Sequence, residues 1–212
     1  MAALFEKDVR LLLLRKSTLF LFLIIGVLFT WEFSSSFSGA YLTMLGTLLA
    51  LSTLSYDDSD NCMEFLFTLP CTRKQYVMEK YLFVYGISFV AGILAIVIII
   101  ASAMMKGIPV TASTIIEAIV SELPIFVMTG GIMIPLQMKF GPEKSRMVLL
   151  ALMGFVFATA FITDVDGILN YIADAANSMN SLKLMIVGGI ILIMLSLVSI
   201  FISMKIMENK EY

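Results

Sequence analysis

The chain has 212 residues, of which 60% are hydrophobic and 14% charged, far below the roughly 25% charged residues of soluble domains. Together with a mean hydropathy of +0.99, this composition indicates an all-α integral membrane protein. A net charge of −2 offers no basic surface, which excludes nucleic acid as a partner and leaves lipid, protein or a transported molecule.

The N-terminal residues 1–16 have the pattern of an amphipathic helix. Four basic residues alternate with apolar ones over this stretch, namely Lys7, Arg10, Arg15 and Lys16. Such a helix suits the headgroup region of a membrane, before the first span. The alternative is that these residues are only the frayed start of that span.

Six apolar runs approach or exceed the ~20 residues that cross a bilayer. They predict spans at about 17–33, 40–56, 81–105, 112–138, 146–163 and 183–204, within one transmembrane domain over residues 1–212. Six spans place both termini on one side of the membrane. Of the 14 Lys and Arg residues, all but Lys106 and Lys183 then lie on that side, so we expect both termini to be cytoplasmic.

The coupling region, residues 57–74, is the polar stretch between the second and third predicted spans. Its acidic start favours a short helix, which Pro70 ends because the residue before a proline avoids the helical conformation. Thr72 followed by Gln75 predicts a capping box at the start of the next helix. The two cysteines, Cys62 and Cys71, have no zinc-like spacing and are interpreted as free thiols, so we predict no metal site.

The fourth predicted span is unusual because it contains Glu117, Glu122 and Gln137. A carboxylate in the bilayer centre is costly, so Glu122 is expected to face protein or water. The alternative is that the embedded part begins near residue 123 and leaves both acids at the outer interface. Prolines and glycines between residues 124 and 135 predict a kink or a broken helix in either case.

Catalysis by this chain is not expected. It has no phosphate-binding GxxxxGK[ST] motif, and without histidine it cannot contain a Ser–His–Asp triad or an HExxH metal site. A protein that moves or holds a substrate is therefore preferred over an enzyme. No cofactor bound by the chain itself is expected.

The string FLFTLPCTRKQYVMEKYL, residues 65–82, carries a family resemblance. It resembles the permeases of bacterial ABC exporters of the type-2 family, in which "LP-x-[ST]-R" and a later lysine follow the second of six spans. The matching residues here are Leu69, Pro70, Thr72, Arg73, Lys80 and Tyr81. Within that family the chain is most similar to permeases of phenol-soluble modulin exporters, which move amphipathic peptides.

The resemblance implies an assembly in the bacterial plasma membrane. It would contain two ABC ATPase subunits that hold ATP and Mg, and a second copy of this permease or a similar one. The N-terminal helix would be an elbow, and the coupling region would form a cytoplasmic coupling helix in a cleft of the ATPase. The residues expected at that contact are Asp57, Asp58, Asp60, Glu64, Phe65, Leu66, Phe67, Pro70, Thr72 and Arg73, with Arg73 near the lipid phosphates.

Several alternatives remain open at this point. The apolar face of the coupling helix could lie on the inner leaflet instead of on an ATPase. Glu122, Glu117 and Gln137 are the candidates for the translocation pathway, where an acid would favour cationic cargo. An exporter of drugs or lipids, an ion-coupled carrier or channel, and a peptide-sequestering scaffold are the competing functions. Loop 164–181 is predicted to form a short helix on the outer leaflet.

Overall fold

The computed structural model describes residues 2–14, 16–32, 35–58, 63, 66, 71–107, 109–162 and 181–210. Apart from short connecting residues, the described parts are helical and contain no strand, which confirms the all-α prediction. The elements are α1 (Ala2–Leu14), α2 (Lys16–Glu32), α3 (Ser35–Asp58), α4 (Arg73–Met105), α5 (Ala112–Phe126), a π-helical segment (Val127–Met133), α6 (Ile134–Ile162) and α7 (Ser181–Glu208).

Four helical stretches within the described residues are long and apolar enough to cross a membrane. They are Phe37–Asp58, Arg73–Met105, Thr114–Ala151 and Ile186–Glu208. A fifth arises if Leu4–Leu14 and Lys16–Thr30, which meet at an angle of 68°, are counted as one broken span. The predicted membrane-spanning helices are therefore confirmed as a class, and their number of six stays a prediction.

The core lies where α3 and α4 cross. Gly46 of α3 allows the close approach, since a Cβ atom at that position would lie 2.4 Å from the Cβ of Ala91 on α4. Small residues at such crossings are typical of membrane helices, whose association depends on close packing. The side chains of Leu51, Phe83 and Val84 are buried in the same core.

The predicted break in the fourth span takes the form of a π-helical segment. Seven residues, Val127–Met133, have the wider π repeat, and α-helices continue on both sides of them. Pro124 precedes the segment inside α5, and Pro135 follows it inside α6. A π-helical turn within a longer helix is a recognised cause of bending, and it is frequent at functional sites.

The fourth and fifth predicted spans were expected to be separated between residues 138 and 146. Within this interval α6 has a kink, where two helical parts meet at the non-helical residue Gly141 (φ 77°, ψ 171°). Only glycine adopts this conformation without strain. A side chain here would also collide with Asp58, because a Cβ atom would lie 2.6 Å from Asp58 Oδ2. Gly141 is therefore the residue at which the two helical parts of α6 change direction.

Candidate functional site

The coupling region begins differently from its prediction. Asp57 and Asp58 do not start a helix; they are the last two residues of α3. Asp57 is only 4% exposed and faces inward. Its contacts are the ammonium group of Lys7 on α1, Lys80 Nζ on α4 at 2.7 Å, and the hydroxyl of Tyr76, which donates to Oδ2 at 3.2 Å. Its partners are thus within the chain, whereas the sequence analysis expected them on an ATPase.

A buried charged cluster joins α1, α3 and α4. We define it as Lys7, Asp8, Asp57 and Lys80. The Lys80 ammonium is fully buried and forms ion pairs with both Asp8 and Asp57. Lys7 Nζ lies 3.1 Å from Asp8 Oδ1, so the two neighbouring residues also form an ion pair. Two cations thus face two anions, which is the condition under which buried charges are tolerated.

Glu79 adds a third acid beside this cluster. Its side chain is buried, and one oxygen is 4.0 Å from the Lys80 ammonium. Among the described residues, neither Glu79 oxygen has a hydrogen-bond partner. The acidic groups at this end of the bundle therefore outnumber the lysines that face them. A buried acid without partners is destabilising in its charged form.

The end of α7 is fastened to the same region through Arg73. The guanidinium donates from Nη1 to the carbonyl oxygens of Met207 at 3.1 Å and Glu208 at 2.8 Å. Helix C-termini leave carbonyls without partners, and a cation there also complements the helix dipole. Arg73 thus caps the last helix, and its expected nearness to the lipid phosphates stays a prediction.

Asp58 and Lys210 strengthen this attachment. Lys210 Nζ is 3.6 Å from Asp58 Oδ1 and donates to the carbonyl of Met138 at 3.3 Å. The Asp58 carboxylate therefore links the end of α3 to the residues that follow α7. Its side chain remains partly exposed, so a contact with a partner protein is still open to it.

The capping box predicted at the start of α4 is confirmed. The Thr72 hydroxyl accepts from the Gln75 backbone N–H at 3.3 Å, and the Gln75 side chain accepts from the Thr72 N–H at 3.1 Å. Leu66, in contrast, was expected on an exposed apolar face but is 6% exposed and packs into the core with Met63. The other residues predicted for the ATPase contact lie outside the described residues: Asp60, Glu64, Phe65, Phe67 and Pro70.

Glu122 lies deep between helices and not at an exposed end of the bundle. It is 6% exposed and sits beside Thr43 of α3. Two glycines make room for it, since a Cβ atom at Gly92 would lie 2.4 Å from Glu122 Oε2 and one at Gly39 would lie 3.8 Å from Oε1. Within the described residues, Oε1 has no hydrogen-bond partner. This burial favours the first of the two interpretations, an acid that faces protein.

The other two pathway candidates are less informative. Gln137 is buried in α6, and its Oε1 has no hydrogen-bond partner in the described part of the chain. The backbone of Glu117 belongs to α5, but its side chain lies outside the described residues, as does the predicted helix in loop 164–181.

Sequence reasoning missed two groups of polar residues. The first is the Lys7–Asp8 pair, which lies among the charged residues at positions 6–10 of α1. The second is the serine face of α7, formed by Ser196, Ser199 and Ser203, whose spacing of three and four residues places them on one side of a helix. That spacing was the available signal, since polar residues within a span usually face the bundle interior.

A chain of this kind is a multi-pass membrane protein, because its described residues are helical and several of its helices have membrane length. A family model described as "ABC-2 family transporter protein" matches residues 3–208. Because the match spans nearly the whole chain, the protein belongs to the ABC-2 transporter family. No curated protein and no solved structure matches the chain. The family predicted from residues 65–82 is thus confirmed, and the similarity to modulin exporters stays a prediction.

Proposed function

We propose that the chain is the membrane-spanning subunit of an ATP-driven exporter in the bacterial plasma membrane. The observation that carries the proposal is the family match over residues 3–208, together with the motif at Leu69–Tyr81. ABC-2 permeases work with an ATPase subunit, so ATP and Mg would be held by that partner and this chain would not be an enzyme. Two ATPase subunits and two permeases would complete the assembly.

The proposed orientation places both termini, α1 and the coupling region in the cytoplasm. The 68° bend between α1 and α2 and the basic residues of α1 support an elbow lying at the inner surface before the first of six spans. Residues 57–74 would include the coupling helix, with Phe65 and Phe67 as its apolar contact. Leu66 would serve instead to anchor this helix in the core, because its side chain is buried.

The contacts of α4 explain how motion of the coupling region would reach the membrane. Thr72 caps α4, Arg73 holds the end of α7, and Lys80 holds α1 and α3. Two residues within eight positions, Arg73 and Lys80, thus attach the start of α4 to three other helices. Displacement of this end by an ATPase would therefore move the four helices together.

The proposed cargo is an amphipathic or hydrophobic peptide. A drug or a lipid is the alternative cargo within the same family. In a chain this apolar, the side chains that face lipid and those that line a cavity have the same composition, so composition does not distinguish the cargoes. The buried Glu122, with one unpartnered oxygen among the described residues, is the observation that would favour an ion-coupled carrier. Replacing Glu122→Gln should slow export of a cationic peptide if the acid contacts cargo; unchanged export would exclude that role.

The decisive experiment is purification of the tagged chain from its native host in a gentle detergent. A stoichiometric ABC ATPase in the eluate, with ATP hydrolysis, is the expected result, whereas a chain without an ATPase would contradict the exporter. The Phe65→Asp and Phe67→Asp double variant should lose the ATPase and remain folded. Its matched control, Phe65→Leu with Phe67→Leu, should keep it. Retention by the Asp variant would show that the contact lies elsewhere.

A further inference from the structure

Pro135 leaves a gap in the backbone hydrogen bonding just after the π-helical segment. Ile134 still donates its N–H to the carbonyl of Thr129, five residues back. Residue 135 would donate to Gly130 in a π-helix and to Gly131 in an α-helix, but proline has no N–H. The carbonyls of Gly130 and Gly131 therefore lack the donor that any other residue at position 135 would supply.

Ser199 of α7 supplies a donor to these two carbonyls. Its hydroxyl donates to Gly130 O at 2.7 Å and to Gly131 O at 3.1 Å. Since a serine hydroxyl has one hydrogen, the two carbonyls share it. The two acceptors are the ones that the missing N–H of Pro135 would serve, so a side chain from another helix replaces a backbone bond.

The direction of the surrounding hydrogen bonds follows from counting hydrogens. Tyr81 Oη lies 2.6 Å from Ser199 Oγ and 2.8 Å from Ser203 Oγ. Because the Ser199 hydrogen points to the carbonyls, Tyr81 must donate to Ser199, and Ser203 must then donate to Tyr81. The chain Ser203 to Tyr81 to Ser199 to carbonyl is buried, and it joins α7, α4 and the π-helical segment.

A second contact fixes the same segment. A Cβ atom at Gly130 would lie 1.7 Å from the Tyr85 hydroxyl, so only glycine admits Tyr85 there. Tyr85 in turn is hydrogen-bonded to Ser196 at 2.6 Å. The segment is therefore held between α4 and α7 at one defined position.

We propose that Ser199 is a positioning residue, a latch that fixes the conformation of the chain at the π-helical segment. The segment is then a hinge between α5 and α6. Opening the latch would remove the donor that stands in for the missing N–H of Pro135, which is unfavourable in a membrane interior. The hinge therefore has a closed state in which Ser199 supplies this donor, and it opens only when another donor replaces Ser199.

A double-mutant cycle tests the replacement of the backbone donor. Pro135→Ala restores an N–H at position 135, so it should make Ser199 dispensable. In the full-length protein in nanodiscs, Ser199→Ala should lower the unfolding temperature by roughly 2–4 °C or more. The same change in the Pro135→Ala background should have less than half that effect. Equal losses in the two backgrounds would overturn the proposal.

A distance measurement separates positioning from mere stabilisation. Spin labels at the exposed positions Ala112→Cys and Lys139→Cys flank the hinge, on the order of 40 Å apart along the helix. Cys62→Ser and Cys71→Ser remove the natural thiols. Ser199→Ala should broaden the distance distribution, and an unchanged distribution would overturn the proposal.

Three further variants provide controls in the same background. Ser199→Thr keeps the hydroxyl and should retain the narrow distribution. Ser102→Ala removes a hydroxyl that donates within its own helix, to the carbonyl of Ile99, and should also keep it. If Ser199→Ala does not fold, the double variant Pro135→Ala with Ser199→Ala regains a backbone donor and should fold, and its failure to fold would contradict the latch. Neither measurement needs an ATPase or a cargo, so the outcome is independent of the proposed function.

Discussion

Replacing Lys80→Met should strongly destabilise the protein. The ammonium is fully buried between Asp8 and Asp57, and without it Lys7 is the one cation left in the charged cluster to face two buried carboxylates. Removing one partner of a buried ion pair costs about 3–5 kcal/mol, because a charge remains without compensation. For a chain of this length, that corresponds to a fall of roughly 6–20 °C in unfolding temperature.

Comparison with Lys74, a lysine in an exposed ion pair, shows whether burial is the cause of the expected destabilisation. Lys74 Nζ is 3.2 Å from Glu208 in a pair whose side chains are 66% and 50% exposed, so Lys74→Met should cost only about 0–1 kcal/mol. Both variants would be compared by thermal unfolding of detergent-solubilised protein. Adding Asp8→Asn to Lys80→Met removes the surplus anion and should restore more than half of the loss. A Lys80→Met variant as stable as Lys74→Met would refute the reasoning.

Three other substitutions test the remaining contacts by the same thermal assay. Gly92→Ala would place a methyl group 2.4 Å from Glu122 Oε2 and should cost about 1–3 kcal/mol, with the loss relieved when Glu122→Ala is added. Arg73→Ala should cost about 1–3 kcal/mol and increase hydrogen exchange in the last turn of α7, whereas intact protection there would argue against the cap. Thr72→Ala should cost about 0.5–2 kcal/mol and Thr72→Ser almost nothing, so equal losses would contradict the capping role.

Features that depend on neighbouring residues could be predicted from the sequence. The Thr72–Gln75 capping box needs only a spacing of three residues, and the break in the fourth span follows from its prolines and glycines. The motif at residues 65–82 likewise identified the family before any contact was known. In the capping box and in the π-helical segment, the residues that determine the structure lie within a few turns of the structure they determine.

Features that depend on distant partners could not be predicted. Asp57 has the sequence context of a helix start, but it lies at the end of α3. Its carboxylate is buried there because Lys7 and Lys80 form ion pairs with it. The position of Glu122 depends on Gly39 and Gly92, which come from two other helices. A hydrophobic pattern predicts which residues lie in a membrane span. It does not predict which glycines of other helices make room for a buried carboxylate.

The charged cluster also sets an order of events during synthesis. Asp8 is made early, yet its partner Lys80 lies 72 residues further along the chain. At about 5–20 residues per second, that separation corresponds to a delay of roughly 4–14 s. During this interval α1 has no cation from α4 against which to bury Asp8, so it must wait at the water-exposed membrane surface. Helix α1 therefore completes its buried ion pairs only after α4 has been made.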